Sequence, residues 1–148
     1  MSAFWVRPAR PADLKAVREL ARRVSREYRL AVKATGRQEP SDVANLLWVV
    51  EAGRGEIVGS CGAREGAGGV WELHSLFLAP QWRGIGLGRA LVEQAIRSAE
   101  REGALRLACS VPAELPEAEA LLRRLGFVAE AAQNPGLERF VKPLRQIS

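Results

Sequence analysis

Two hydrophobic periods alternate along this chain, one of about 3.6 residues and one of two residues. The helical period predicts three main helices and one short one, over residues 13–28, 87–102, 116–125 and 41–47. Apolar runs bounded by turn residues predict seven strands, over residues 4–7, 48–52, 56–63, 70–78, 104–111, 127–131 and 137–141. This order predicts an α/β (α+β) fold, a single domain over residues 1–148 with a mixed sheet of about seven strands flanked by helices on both faces.

The length and composition are those of one globular domain, with 47% hydrophobic and 26% charged residues among 148. No apolar run is long enough to span a membrane and no signal peptide is evident, so a cytoplasmic location without membrane association is predicted. Cys61 and Cys109 lie in separate apolar segments, which predicts reduced core thiols. Because His74 is the only histidine and no Cys-x-x-Cys pair occurs, no metal site is predicted.

A glycine-rich turn joins the strand predicted over residues 70–78 to the helix predicted over residues 87–102. The turn contains Gly84, Gly86 and Gly88 in the segment QWRGIGLG. Main-chain N–H groups at a helix N-terminus lack helical partners, and glycines let an anion approach them, so the turn predicts a diphosphate site. Arg89 stands where a dinucleotide fingerprint requires glycine, and the Lys-Ser/Thr pair of a nucleotide-triphosphate loop does not follow Gly88.

The same segment is similar to the Gln/Arg-x-x-Gly-x-Gly/Ala signature of the GNAT superfamily of acyl-CoA-dependent N-acetyltransferases, which Gln81, Gly84 and Gly86 fill. Residues 6–14 resemble the family's usual opening, and residues 125–127 resemble its usual exit from the last helix. The resemblance covers the whole order of elements. It implies the GNAT fold, acetyl-CoA as co-substrate, and splayed fourth and fifth strands that admit the pantetheine arm.

The resemblance also implies which residues contact acetyl-CoA. The N–H of Leu76 would bond the acetyl carbonyl, and Leu78 would pair with pantetheine as an added strand would. Main-chain N–H groups and arginine charge after Trp82, which is expected to be a packing anchor, would hold the pyrophosphate. The full set of implied cofactor-binding residues is Leu76, Phe77, Leu78, Arg83, Gly84, Ile85, Gly86, Leu87, Gly88 and Arg89.

Acyl transfer to an amine requires removal of a proton from the ammonium and stabilisation of negative charge on the carbonyl oxygen. Glu72 is the candidate base, directly or through water, because many GNAT enzymes carry a glutamate at this place; a solvent-facing or arginine-paired glutamate is the alternative. Strand alternation puts His74 on the same face. Its imidazole, with an ordinary pKa near ~6.5, is a second catalytic candidate, and a structural role is its alternative.

The chain departs from the family at the leaving-group side. Leu115 and Leu122 occupy positions where many GNAT enzymes carry an asparagine and a tyrosine that acts as general acid. The CoA thiolate would then leave unassisted, be protonated by water, or use Ser110, Cys109 or Tyr28, although Tyr28 lies on the apolar stripe of the first helix. Cys109 lacks a visible activating base, so direct attack in a ternary complex is predicted over a cysteine-bound intermediate.

The predicted function is transfer of the acetyl group of acetyl-CoA to a primary amine of a small molecule, peptide or protein. By resemblance, the acceptor would contact residues 33–42 and 133–136. The alternative is a catalytically silent acyl-CoA-binding sensor or scaffold, which the missing tyrosine favours. A homodimer is compatible with the resemblance.

The net charge of +5 raises a third hypothesis, an RNA-directed acetylase. Arginines cluster along the first predicted helix at Arg18, Arg22, Arg23, Arg26 and Arg29. They fit either an anionic partner or a solvated helix face. No interleaved aromatic residues suggest base stacking, so nucleic-acid binding is disfavoured.

Overall fold

The computed structural model describes residues 3–27, 45–113, 115–131 and 134–146. Three helices are present in these residues: α1 (Leu14–Glu27), α2 (Leu87–Arg101) and α3 (Pro116–Arg124). The strands are β1 (Phe4–Pro8), β2 (Asn45–Ala52), β3 (Glu56–Glu65), β4 (Val70–Leu78), β5 (Arg106–Pro112), β6 (Val128–Glu130) and β7 (Leu137–Pro143). Short 3₁₀ turns precede α1, β4 and the glycine-rich turn.

The strands of the described residues form one seven-stranded sheet in the order β1-β2-β3-β4-β5-β7-β6. All neighbouring strands run antiparallel except β4 and β5, which run parallel. The sequence prediction of a mixed sheet of about seven strands is therefore confirmed.

The short helix predicted over residues 41–47 is wrong for its last three residues. Asn45–Leu47 begin β2, where Leu46 pairs with Ala63 and Leu47 pairs with Gly62 of β3. Leu47 and the following valines are buried, so pairing with a neighbouring strand decides the conformation of this apolar run. The remaining residues of that predicted helix, and Tyr28 at the end of the first one, lie outside the described residues.

Both faces of the central sheet are covered. On β3, Val58 and Ser60 point to one face while Cys61 and Ala63 point to the other, and all four are fully buried. Trp48, which pairs with Cys61, donates from Nε1 to Ser98 Oγ of α2 at 3.1 Å, so α2 packs on the Cys61 face. Because α1 also packs against β3 and β4, it covers the Ser60 face. The predicted helices on both faces are confirmed.

Three further expectations concern membrane crossing, the two cysteines and the arginines of the first helix. No helix within the described ranges is long and apolar enough to cross a bilayer. Cys61 and Cys109 are buried free thiols, as the sequence predicts. The described arginines of the α1 cluster (Arg18, Arg22, Arg23, Arg26) are exposed to solvent, and Arg29 lies outside the described residues.

The parallel pair β4–β5 separates after only three residue pairs. Val70, Trp71 and Glu72 pair with Arg106, Leu107 and Ala108. β4 then continues to Leu78 and β5 to Pro112 without further pairing between them. The splay of the fourth and fifth strands, implied by the family resemblance, is therefore confirmed, and it opens a gap beside the second half of β4.

Candidate active site

The glycine-rich turn lies at the end of β4 and leads into α2. Gly84 and Gly86 have φ angles of 82° and 86°, in the left-handed region that side chains other than glycine rarely adopt. A Cβ at either position would meet no atom within 4 Å, so the space in front of this main chain is open. Gly88 differs, because its φ is ordinary and a Cβ there would lie 3.4 Å from Leu121 Cδ2 of α3.

The first turn of α2 presents main-chain donors to this open space. Gly86 is the N-cap and provides no side-chain capping bond, and no acidic side chain lies in the first turn. The N–H groups of Leu87, Gly88 and Arg89 precede the first N–H that can bond within the helix. Because the helix dipole adds partial positive charge here, the turn fits an anion.

Two side chains, those of Trp82 and Arg83, hold the turn against neighbouring elements. Arg83 Nε donates to the carbonyl oxygen of Leu78 at 2.9 Å, which ties the turn to the end of β4. Trp82 packs edge-on against Phe4 with ring centroids 6.0 Å apart, so its predicted anchor role is confirmed. Arg89 pairs with Glu93 at 2.7 Å. Ile85 is exposed at the tip of the turn. An anion here would therefore meet main-chain N–H groups, with the mostly exposed guanidinium of Arg89 beside them.

A bulge in β4 lies immediately before the turn. His74 pairs with Gly62 and Phe77 pairs with Ser60, so two residues of β4, Ser75 and Leu76, are opposite one residue of β3. Ser75 has a φ of 53°, the left-handed region that is uncommon for a residue with a side chain.

The main-chain direction after this bulge is fixed at its far end. The N–H of Ala79 bonds the carbonyl oxygen of Val58 at 2.8 Å, on the β3 side. Since main-chain groups alternate along a strand, the N–H groups of Leu78 and Leu76 lie on the opposite edge. That edge borders the gap left by β5. The geometry fits the contacts that the resemblance implies for these two residues.

Glu72 lies where β4 and β5 part, in a bidentate ion pair with Arg139 of β7. Arg139 Nη2 is 2.6 Å from Oε1 of Glu72, and Nη1 is 3.3 Å from Oε2. Arg139 also donates to Glu130 at 3.1 Å and to Ser110 Oγ at 3.4 Å. Its hydrogen bond to Glu72 raises the pKa of Arg139, so the guanidinium stays charged. We call Glu72, Ser110, Glu130 and Arg139 the Arg139 cluster.

The ion pair matches the alternative of an arginine-paired Glu72. It still leaves the carboxylate able to accept further hydrogen bonds. Each carboxylate oxygen has two lone pairs and accepts one bond from Arg139, so each can accept another. The Glu72 side chain is 31% exposed, so solvent or a ligand can reach it. Arg139 was not identified from the sequence, because nothing local marks a partner 67 residues from Glu72.

His74 shares a sheet face with Glu72, as strand alternation predicts, since their β3 partners Gly62 and Arg64 are also two residues apart. The imidazole packs on Gly62, where a Cβ would lie 2.5 Å from its Cε1. Burial, together with the charge of Arg64, lowers the pKa of His74 to about 4. The near-neutral pKa expected from the sequence is therefore not retained, and the imidazole is neutral at pH 7. Its Nδ1 lies 2.9 Å from Ser75 Oγ.

The residues considered as proton donors to the departing CoA thiolate differ in burial and in chemistry. Leu122, at the position of the family's tyrosine, is fully buried in the core. Burial raises the pKa of Cys109 to about 12, and the charge of Glu72 adds to the effect. Ser110 is exposed and its hydroxyl lies in the Arg139 cluster. Within the described part of the chain, no three His, Cys, Asp or Glu side chains are placed to hold a metal ion.

Comparison with known proteins places this geometry in a family. A family model described as acetyltransferase (GNAT) family matches residues 14–127. The uncharacterized N-acetyltransferase YjgM of Escherichia coli strain K12 is 34% identical over 128 residues, which cover 78% of this chain and 76% of YjgM.

Two solved structures share the fold. A GNAT-family acetyltransferase from Staphylococcus aureus Mu50 superposes with a TM-score of 0.81 and 11% identity, covering 97% of this chain and 100% of that chain. The PaiA N-acetyltransferase of Thermoplasma acidophilum, solved in complex with coenzyme A, gives a TM-score of 0.77 and 17% identity, covering 95% and 99%. From the family model and the identity with YjgM, this chain belongs to the GNAT family of acyl-CoA-dependent N-acetyltransferases.

Proposed function

We propose that this protein transfers the acetyl group of acetyl-CoA to a primary amine, by direct attack of the amine in a ternary complex. The observation that carries the proposal is the gap beside β4. Pairing with β5 ends at Glu72, and the N–H groups of Leu76 and Leu78 border the opening. The glycine-rich turn and the first turn of α2 lie at one end of this gap, and Glu72 lies at the other.

The residues of the gap fit acetyl-CoA, which supplies the activated acyl group and a thiol leaving group. The N–H of Leu76 bonds the carbonyl oxygen of the acetyl group, where negative charge develops during attack. The main chain of Leu78 pairs with the pantetheine arm. Phe77 lies between Leu76 and Leu78 in the same strand and belongs to the same proposed contact segment. The main chain of residues 83–89 holds the pyrophosphate, since the space above Gly84 and Gly86 is open and no acidic side chain opposes an anion there.

Glu72 is the proposed base, acting directly or through a water molecule. Arg139 fixes the orientation of its carboxylate, and each carboxylate oxygen keeps a lone pair for a further hydrogen bond. His74 remains a second candidate, because a neutral imidazole can accept a hydrogen bond and position a water. Its low pKa makes it a weaker proton acceptor than an ordinary histidine.

The thiols support direct attack. A cysteine whose pKa is about 12 is almost entirely protonated at pH 7, so Cys109 is a poor nucleophile. It is also a poor proton donor to a departing thiolate, since an ordinary thiol has a pKa of about 8.5. We therefore assign protonation of the leaving group to water, with the exposed hydroxyl of Ser110 as the side-chain alternative.

The acceptor is a small-molecule amine or the amine of a peptide or protein. The Arg139 cluster holds two carboxylates and one guanidinium, so it carries one excess negative charge. Within this cluster, the carboxylate of Glu72, which is 31% exposed, is the group proposed to meet an acceptor that arrives as an ammonium ion. Residues 33–42 and residue 133, which the family resemblance also places near the acceptor, lie outside the described residues. A cytoplasmic location and a homodimer remain predictions.

Thiol release from acetyl-CoA tests the proposal. With a panel of amino acids, polyamines and peptides, we expect release that depends on the amine and falls at least 100-fold in Glu72→Gln. The variant should bind acetyl-CoA as the unaltered protein does.

The second candidate function is a catalytically silent acyl-CoA sensor, which the buried Leu122 at the tyrosine position favours. Tight acetyl-CoA binding without turnover of any amine, and without an effect of Glu72→Gln, would establish the sensor instead. Salt-sensitive tRNA binding would support the RNA-directed hypothesis, and its absence would remove it.

A further inference from the structure

A buried side chain on β3 holds the main chain of the β4 bulge. Ser60 is fully buried, and its hydroxyl donates to the carbonyl oxygen of Ser75 at 2.6 Å. Neighbouring strands are normally joined by main-chain bonds, which the bulge interrupts at this point. A side chain therefore replaces a ladder bond where the strand is irregular.

The carbonyl that Ser60 holds belongs to the same peptide group as the N–H of Leu76. In a trans peptide the carbonyl and the N–H point in opposite directions. Fixing the Ser75 carbonyl toward β3 therefore aims the Leu76 N–H away from β3, toward the gap where β5 has separated. The N–H of Ala79 points to β3, and main-chain N–H groups alternate along a strand, so this second argument gives the same direction for the N–H of Leu76.

This peptide needs to be held, because Ser75 has a φ of 53°. His74 Nδ1, 2.9 Å from Ser75 Oγ, provides a second restraint on the same residue. A carbonyl that accepts a hydrogen bond also polarises the N–H of its peptide group, which strengthens that N–H as a donor. Ser60 therefore orients the N–H of Leu76 and also makes it a stronger hydrogen-bond donor.

We propose that Ser60 is a positioning residue for acetyl transfer: its buried hydroxyl fixes the Ser75–Leu76 peptide so that the Leu76 N–H meets the thioester carbonyl of acetyl-CoA. The proposal rests on the proposed function. It predicts an effect confined to the acetyl group, because coenzyme A itself lacks that carbonyl. A general structural role for Ser60 would affect both compounds equally.

The test compares the unaltered protein with Ser60→Ala. Infrared difference spectra with ¹³C-carbonyl acetyl-CoA report the carbonyl stretch, and calorimetry gives affinities for acetyl-CoA and coenzyme A. In Ser60→Ala we expect the stretch to return toward its value in solution and acetyl-CoA affinity to fall about fivefold, with coenzyme A affinity unchanged. The kcat for an accepted amine should fall about tenfold.

The chain offers a matched control. Ser98 is also a buried serine whose hydroxyl takes part in a hydrogen bond, but it lies on the other sheet face against Trp48. Ser98→Ala should leave the carbonyl stretch and the affinity ratio unchanged. Ser60→Thr, which keeps the hydroxyl, should restore the stretch toward that of the unaltered protein.

The outcomes separate this inference from the function on which it rests. An unchanged stretch and affinity ratio in Ser60→Ala would overturn the role of Ser60, and so would equal losses for the two compounds. If Ser60→Ala does not fold, Ser60→Cys, of similar volume and with a weak donor, is measured in its place. Failure of the unaltered protein to bind acetyl-CoA would instead overturn the proposed function.

Discussion

Arg139 of β7 holds both carboxylate oxygens of Glu72 of β4, at 2.6 Å and 3.3 Å, across the intervening strand β5. The contact lies at the last residue pair before β4 and β5 separate. It joins the two halves of the sheet at the mouth of the gap. Both side chains are partly exposed, so the pair adds little to the stability of the fold, and its proposed role is to orient the carboxylate of Glu72.

We expect Arg139→Met to reduce kcat/KM about tenfold, because Glu72 loses its fixed orientation. Glu130→Gln is the control, because it removes the other carboxylate that Arg139 contacts and leaves the Glu72 pair in place. An unchanged kcat/KM in Arg139→Met would contradict a role for the pair.

Gly86→Glu should reduce acetyl-CoA affinity more than 100-fold, because it places a side chain and a negative charge in front of the donors of α2. Gly55→Glu is the matched control. Its φ of 91° resembles the 86° of Gly86, and both positions face open space, but Gly55 lies in the β2–β3 hairpin. Both substitutions should lower the free energy of unfolding by about 1–2 kcal/mol, measured by chemical denaturation. Equal acetyl-CoA affinities in the two variants would show that the anion site has been misplaced.

His74 should make folding stability depend on pH. Its folded pKa of about 4 lies below the ordinary 6.5, so the unfolded chain binds the proton more readily between these values. The free energy of unfolding therefore falls as the pH decreases from 6.5 to 4. Denaturation across this range should show the advantage of the unaltered protein over His74→Gln shrinking by roughly 2–3 kcal/mol. A difference that stays constant with pH would indicate that the imidazole is not buried as described.

Cys109→Ala should retain acetyl transfer within about twofold, because a thiol whose pKa is raised to about 12 is a poor nucleophile at pH 7. Rapid-quench kinetics should show no burst of coenzyme A release in the absence of amine. Cys61→Ala is the control for loss of a buried thiol, since Cys61 is also buried and free. A burst that disappears only in Cys109→Ala would replace direct attack with an acyl-cysteine intermediate.

The glycine-rich turn and its flanking elements could be predicted from the sequence because their signals are local. The apolar run of β4, the glycines at positive φ and the amphipathic stripe of α2 each depend on neighbouring residues. Asn45–Leu47 could not be assigned in this way. Their apolar pattern is compatible with a helix or a strand, and pairing with β3 selects the strand.

The electrostatics of the site could not be predicted because they depend on distant contacts. The pKa of His74 follows from burial on Gly62 and from Arg64, and the orientation of Glu72 follows from Arg139. Ser60 is an ordinary strand residue in the sequence, and its hydrogen bond to the bulge in β4 depends on the pairing of two strands.

Calorimetric titration of the unaltered protein with acetyl-CoA, with Gly86→Glu measured beside it, tests the central claim most directly. The claim is that the main chain between the end of β4 and the first turn of α2 holds the pyrophosphate of the cofactor. We predict saturable binding of one equivalent to the unaltered protein and no measurable heat with folded Gly86→Glu. Absence of binding to the unaltered protein, or undiminished binding to the variant, would contradict the account.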